Sequence, residues 1–248
     1  MKYLSIILFS LFLTLICNQD AQAQQQNSPL NYQSIVDSKQ RPRGDLVKDK
    51  SRLPVQLLQF MNIKPGMTVF EQGASGGYTT ELLARAVGET GQVFAEGLES
   101  SRLYGNRLPQ VKPLSRGLIF QIPERAKKAG LINGHVDAVV MMFTYHDLAL
   151  NSRIDRSQML DNMKRMLKSG GSLIIADNAA IKGSGLTYTR KLHRIDPDLI
   201  VDEITQAGFK LDAISDLYHN SNDDIKAHWR FLPKPRHHHR LLMRFTKP

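Results

Sequence analysis

Residues 69–83 read VFEQGASGGYTTELL, and this stretch decides the fold. A short apolar run reaches a glutamate, three glycines follow within five positions, and an amphipathic helical pattern starts directly after them. A strand that enters a glycine loop and then a helix is typical of parallel α/β sheets that bind nucleotides. The loop therefore predicts a nucleotide-like ligand, and its spacing indicates which kind.

The spacing excludes two common phosphate-binding loops. A dinucleotide fold has G-x-G-x-x-G, but the second and third places counted from Gly73 hold Ser75 and Tyr78. A P-loop has a lysine after its glycines, and none follows here. The pattern that fits is acid-x-Gly-x-Gly-x-Gly, formed by Glu71, Gly73, Ser75 and Gly77 with one glycine replaced by serine.

The rest of the chain alternates between strand and helix patterns. Apolar runs predict strands at 68–73, 91–96, 136–144 and 172–178, and two more close the chain at 210–218 and 239–248. Helical patterns lie at 54–63, 79–88, 157–171 and 196–209. This alternation predicts a doubly wound α/β domain with a mostly parallel sheet.

The glycine loop resembles the first motif of class I S-adenosylmethionine-dependent methyltransferases. Residues 50–248 are similar to a bacterial methyltransferase-like group whose members often carry signal peptides, most specifically in LHRIDPDLIVDEITQAGFKLDAISDLYHN at 192–220. The resemblance implies a seven-stranded Rossmann-like sheet with an antiparallel last strand, and S-adenosyl-L-methionine as the cofactor. It implies methyl transfer to a small-molecule acceptor. The alternative is an exported, non-catalytic small-molecule-binding protein on the same fold.

The resemblance also assigns cofactor contacts. The glycines would let the backbone approach the methionine part and the ribose, and Glu71 suits the ammonium group. Glu96 is our choice for the ribose hydroxyls, with Gly97 and Glu99 as competing positions. The acid often found near the adenine after strand three is missing, because that segment holds only Glu124.

Candidates for chemistry follow the predicted strands. His146 comes directly after the strand at 136–144, Asp177 ends the strand at 172–178, and His193 precedes a helix. We expect His146 to act as a base or to position the acceptor, although a histidine there can also simply pack or cap a helix. Asp177 could orient an amine or hydroxyl of the acceptor or merely bind loop amides, and His193 with Arg194 could hold an anionic group. Asp196 is expected to cap the helix that starts at Pro197.

No metal site and no nucleic-acid partner are expected. His237, His238 and His239 are adjacent, and neighbouring residues on a strand point to opposite faces, so the three cannot converge on one ion without a turn. The net charge of +10 could favour anionic partners. The charge is nevertheless spread along the chain without interleaved aromatics, so nucleic acid is an unlikely partner.

The amino terminus predicts export. Lys2, an apolar run at 4–16 and Ala21-Gln22-Ala23 are typical of a cleaved signal peptide. We expect a signal peptide at 1–23, a polar linker or arm at 24–49 and the methyltransferase-like domain at 50–248. The mature protein would begin at Gln24, would lie in the periplasm or outside the cell, and would have no transmembrane span. The sequence sets no oligomeric state.

Overall fold

The structure is a computed structural model that describes residues 30–99, 107–117, 127–131, 133–232 and 238–248. Residues 32–248 form one compact unit. The predicted signal peptide, Glu124 and His237 lie outside the described residues. In the described part of the chain, no helix is both long and apolar enough to cross a membrane.

The centre of the unit is a seven-stranded sheet in the order β3-β2-β1-β4-β5-β7-β6. Strands β1 to β5 are mutually parallel, whereas β7 runs antiparallel to both β5 and β6. The predicted seven-stranded, mostly parallel sheet with an antiparallel last strand is therefore confirmed. The strands are β1 Thr68–Gln72, β2 Gln92–Glu96, β3 Val111–Leu114, β4 Val136–Met142, β5 Leu167–Asn178, β6 Lys210–Ile214 and β7 Arg240–Thr246.

Helices surround this sheet. They are α1 Tyr32–Val36, α2 Arg43–Arg52, α3 Pro54–Met61, α4 Tyr78–Val87, α5 Tyr145–Leu150, α6 Arg156–Met166, α7 Thr189–Leu192 and α8 Pro197–Gln206. Two short 3₁₀ turns, Asp216–Tyr218 and Trp229–Phe231, precede β7. Two helix ends lie where the sequence predicts them. Gly88 is the C-cap of α4, and the Asp196 side chain accepts a hydrogen bond from Asp198 N at the start of α8.

The neighbouring strands β4 and β5 each contain a continuous run of buried residues. In β4 all residues from Ala138 to Met142 are buried, and β5 is buried from Leu173 to Asn178. Strands that are covered on both faces of a sheet have such continuous apolar runs, and this pattern is why the sequence predicted these two strands. Because β1, β4 and β5 are parallel neighbours, their carboxyl ends meet at one edge of the sheet, and polar residues there become neighbours.

Two segments differ from the sequence expectation. The helix predicted at 157–171 ends at Met166, and β5 begins at once with Leu167, with a register irregularity against β4 before regular pairing resumes at Ser172. The compact unit also begins before residue 50. The segment expected to be a linker or arm contains α1 and most of α2, and Tyr32 Oη donates to Ile63 O at 3.1 Å.

Candidate functional site

The glycine loop between β1 and α4 adopts left-handed backbone angles. Gly73 has φ 75° and Gly77, the N-cap of α4, has φ 81°, while Ser75 adopts φ 49° without being a glycine. A β-carbon at Gly73 would come within 2.4 Å of Thr144 Cγ2. Two features therefore require glycine at position 73: the positive φ angle, and the close approach of the loop that follows β4.

Glu71 lies buried just before the end of β1. Its carboxylate accepts a hydrogen bond from Thr80 Oγ1 at 2.5 Å. Burial raises the pKa of Glu71 to about 7, although the Thr80 hydrogen bond opposes the shift. A carboxyl group held in this way is poised to ionise when a cation such as an ammonium group binds beside it.

Glu96, the last residue of β2, is fully buried beside the same loop. Its backbone carbonyl accepts a hydrogen bond from Ala74 N at 2.8 Å, so the end of β2 is tied to the glycine loop. Glu99, the competing candidate, instead extends outward and pairs with Arg116 at 3.1 Å, with both side chains mostly exposed. The geometry favours Glu96 as the acid of this site.

A second concave region lies where β4, β5 and β7 meet α2. It is a cavity of about 390 Å³ that brings together residues from six parts of the chain. It contains His146 and His193 from the predicted set, but Asp177 lies beneath the wall and contacts the cavity through His146. The lining residues are Lys48, Ser51, Arg52, Phe143, His146, Asp147, Asn178, His193, Trp229, Arg230, His238 and Arg240.

The fully buried Asp177 fixes His146. One carboxylate oxygen lies 2.7 Å from His146 Nδ1, and the other accepts the His146 backbone N–H at 2.9 Å. Asn178 N also donates to this carboxylate, at 2.7 Å. Burial alone would lower the pKa of His146, but the charge and hydrogen bond of Asp177 outweigh it and leave that pKa raised. The ring is thus held with Nδ1 toward Asp177 and Nε2 toward the cavity.

His193 lies opposite His146 across the cavity wall. His193 Nδ1 is 3.3 Å from His146 Nε2, and an oxygen of Asp147 lies 3.3 Å from His146 Nε2 and 3.5 Å from His193 Nδ1. His193 follows α7 with φ 50°, an uncommon angle for a non-glycine residue. Strained backbone of this kind concentrates at functional sites, and Phe143 in the same cavity has φ 63°.

Arg194 is not available to hold a substrate, contrary to the suggestion from the sequence. Its side chain is fully buried and forms a two-point ion pair with Asp223, at 2.7 and 3.1 Å. The partner lies 29 residues away in the chain, so the sequence pattern gave no sign of it. Arg194 is a structural residue that ties the loop before β7 to the sheet.

The sequence analysis missed two arginines that face the cavity. The Arg240 side chain donates through Nη2 to Ser51 O at 2.6 Å, and within the described residues its buried Nε has no hydrogen-bond partner. Arg52 contacts the rings of Phe143 and Tyr78, at 4.3 and 5.5 Å from their centroids. In the part of the chain that the structure describes, neither guanidinium forms an ion pair. Burial lowers the pKa of Arg240 to about 10 and lowers that of Arg52 as well.

His238 and His239, the two described histidines of the run near the end of the chain, have different neighbours. His238 is buried, and its Nε2 lies 2.7 Å from Asn178 Oδ1 while its ring stacks on Trp229. Burial and the nearby arginines lower the pKa of His238 to about 3, so the ring is neutral. His239 turns elsewhere, with its ring against His219 and its backbone N–H on Asp223. Trp229 forms part of the cavity wall.

Comparisons with known proteins agree with this geometry. Residues 70–175 match the family model described as "Methyltransferase domain". A ubiquinone/menaquinone biosynthesis C-methyltransferase from Burkholderia vietnamiensis is 26% identical over 117 residues, which are 47% of this chain and 45% of the relative. The chain thus spans less than half the length of this curated relative.

Solved structures share the fold. A SAM-dependent methyltransferase from Aquifex aeolicus superimposes with a TM-score of 0.56 at 20% identity, covering 89% of this chain and all of that one. The [4+2]-cyclase SpnF superimposes with a TM-score of 0.57 at 14% identity, covering 86% and 85%. Residues 70–175 therefore match a methyltransferase domain, and the chain has the fold of a solved SAM-dependent methyltransferase.

Proposed function

We propose that this protein transfers the methyl group of S-adenosylmethionine to a small anionic molecule bound in the cavity at the ends of β4 and β5. The observation that carries the proposal is the arrangement of two sites on one sheet edge. The glycine loop with Glu71 and Glu96 lies after β1 and β2, and the cavity lies after β4 and β5. The side chain of Thr144, which a β-carbon at Gly73 would touch, joins them.

The proposed cofactor site is inferred from the functional groups of S-adenosylmethionine. S-adenosylmethionine has a ribose with two hydroxyls and an ammonium group but no phosphate, so it needs acids where a dinucleotide needs helix amides and basic groups. Glu96 supplies a buried carboxylate for the hydroxyls, and Glu71 supplies one for the ammonium. The glycines keep side chains away from the ligand.

The class of acceptor is inferred from the charged residues that line the cavity. Lys48, Arg52, Arg230 and Arg240 line the cavity, and Asp147 is the one acid among the described residues that line it. Burying a guanidinium without a carboxylate partner is unfavourable, and a bound anion would remove that penalty. Phe143 and Trp229 add flat apolar surface. We therefore infer an acceptor that has a carboxylate or another oxyanion and a planar or apolar body.

Methyl transfer is an in-line displacement. The nucleophilic atom of the acceptor forms a bond to the methyl carbon while the carbon–sulfur bond breaks, and the sulfonium leaves as a thioether. The protein contributes mainly by holding the two reactants in line. We assign His146, oriented by Asp177, and His193 to the nucleophilic end of the acceptor.

Calorimetry with the purified protein and S-adenosylmethionine tests the cofactor site. We expect one site, and we expect Glu96→Gln to weaken affinity by about tenfold to a hundredfold because a charged hydrogen bond to the ribose is lost. Arg116→Gln, which removes the exposed partner of Glu99, is the control and should leave affinity unchanged. No binding to the wild-type protein would refute the proposal.

The acceptor class can be tested by a pair of variants on one strand. Arg240 faces the cavity, whereas Arg244, four residues later on β7, pairs with Asp212 outside it. With radiolabelled cofactor and a panel of aromatic and aliphatic acids, we expect Arg240→Gln to reduce methylation at least tenfold and Arg244→Gln to leave it near wild type. Preference for neutral or cationic acceptors would overturn the anionic assignment.

The non-catalytic alternative predicts a different result in the same assays: cofactor affinity without turnover on any acceptor.

We also propose, from the leader at 1–23, that the protein acts outside the cytoplasm. Mass spectrometry of the periplasmic fraction should then find an amino terminus at Gln24, and a full-length protein confined to the cytosol would contradict export.

A further inference from the structure

We propose that His146, Asp147 and His193 bind a divalent metal ion, with zinc as the best match, at the wall of the acceptor cavity. Three potential ligand atoms from two separate elements converge there: His146 Nε2, an oxygen of Asp147 and His193 Nδ1. Within the described residues, this is the group of histidine and acid side chains that could enclose one ion.

The distances between these atoms match a tetrahedral zinc site. They form a nearly equilateral triangle with sides of 3.3, 3.3 and 3.5 Å. Zinc binds histidine nitrogen and carboxylate oxygen at about 2.0–2.2 Å, and two ligands of a regular tetrahedron with such bonds lie about 3.3–3.6 Å apart. Octahedral magnesium, with bonds of about 2.1 Å, needs about 3.0 Å and prefers oxygen ligands.

The surroundings of His146 provide the second support. Metal-bound histidines commonly donate their other ring N–H to a carboxylate, which fixes the ring and aims the free nitrogen at the ion. Asp177 is such a carboxylate here, with an oxygen 2.7 Å from His146 Nδ1, and the two backbone N–H groups that it accepts fix its own position. Asp147 and Asp177 together provide two negative charges beside the proposed ion, which balances its charge among the neighbouring arginines.

A hydrogen bond between the two histidines is the competing explanation. His193 Nδ1–H donating to His146 Nε2 would satisfy the 3.3 Å distance without an ion. It leaves the approach of the Asp147 oxygen to both nitrogens, at 3.3 and 3.5 Å, to a separate ion pair of this 59% exposed side chain with a protonated histidine. A metal ion accounts for all three approaches at once.

The fourth position of such an ion would face the cavity. Catalytic zinc sites have three protein ligands and one open position, whereas structural sites have four protein ligands. An oxygen or sulfur atom of the acceptor bound there would lie among the arginines that we assign to its anionic group. The ion would thus orient the acceptor and favour its deprotonated form. Metal binding itself does not depend on the proposed methyl transfer.

The test is metal titration of untagged protein after treatment with a chelator, without cofactor or acceptor. We expect one equivalent of Zn²⁺ to bind, and one equivalent of Co²⁺ to give the intense visible bands of tetrahedral coordination. His193→Ala should lower Zn²⁺ affinity at least a hundredfold, and Asp177→Asn about ten- to a hundredfold. Because His193 is partly exposed, its variant is expected to fold, which thermal unfolding verifies.

A second histidine pair provides the matched control. His219 and His239 have ring centroids 4.8 Å apart, but among the described residues no carboxylate completes a metal-binding group with them, so His219→Ala should leave Zn²⁺ affinity unchanged. The proposal is overturned if the wild-type protein binds no zinc or cobalt, if His193→Ala keeps full affinity, or if His219→Ala removes it. Failure of methyl transfer alone would refute the proposed function and leave the titration result standing.

Discussion

Replacing Gly73 by alanine tests how the two halves of the site are joined. The new β-carbon would lie 2.4 Å from Thr144 Cγ2, and φ at this position is 75°. The left-handed backbone penalty for alanine is about 1–2 kcal/mol, and overpacking of a close contact adds about 1–3 kcal/mol. We therefore expect the free energy of unfolding to fall by about 2–5 kcal/mol.

The two contributions can be separated because Thr144→Ser removes the clashing methyl group. The serine hydroxyl can still donate to Gln72 Oε1, as Thr144 does at 2.9 Å. In the double variant the overpacking should disappear while the backbone penalty stays, so the coupling energy should be about 1–3 kcal/mol. Gly183→Ala is the matched control, since Gly183 has the same φ of 75° but no atom within 4 Å of a β-carbon.

Urea unfolding of the four proteins in the cycle provides the energies, and S-adenosylmethionine titration of the same proteins provides the affinities. If Thr144 transmits the effect, both stability and affinity should recover in the double variant. Strict additivity, with a coupling energy below about 0.5 kcal/mol, would refute this reasoning. Affinity that stays low while stability recovers would show that the β-carbon obstructs the ligand itself.

Two more predictions concern buried charge. Glu71 holds its proton in the folded state up to about pH 7 but only to about 4.5 when unfolded, so its contribution to stability is complete at low pH and is lost as pH rises through this interval. Glu71→Gln should remove this slope, which is about 3 kcal/mol between pH 4 and 8 in paired urea titrations; an unchanged slope would contradict it. Asp223→Asn should lower stability by about 3–5 kcal/mol because it leaves the buried Arg194 unpaired. Asp212→Asn, at a partly exposed pair, should lower it by about 1 kcal/mol or less, and equal losses would contradict the assignment.

Local patterns predicted much of the sheet. The apolar runs of β4 and β5 and the Asp196-Pro197 start of α8 each have a cause within a few residues, so the sequence displays it. The prediction that residues 167–171 belong to a helix was wrong, because the glycines of LKSGG are typical of a helix end. Its strand conformation instead depends on distant pairing, such as Gly170 N donating to Lys247 O.

The site was predictable only in part, for the same reason. Parallel strand ends meet, so His146 and Asp177 could be placed together from sequence, and the structure has them in contact. The Arg194–Asp223 pair and the position of Arg240 depend on chain segments far apart in sequence. Lys48 and Arg52 did offer a signal, because a spacing of four places both on one face of a helix. Lys48 nevertheless lay in the segment expected to be a linker or arm, so the two residues were not connected with the cavity.

Helix α2 contacts both the proposed cofactor site and the proposed acceptor cavity. Asp49 on α2 accepts a hydrogen bond from Tyr78 Oη at 2.8 Å, and Tyr78 is the first residue of the helix that follows the glycine loop. The same carboxylate pairs with Arg41 through both oxygens at 2.8 Å. One turn further on, Arg52 extends from the Tyr78 ring to the Phe143 ring in the acceptor cavity. A shift of α2 would therefore move the start of the glycine loop and the proposed anion-binding wall of the cavity together.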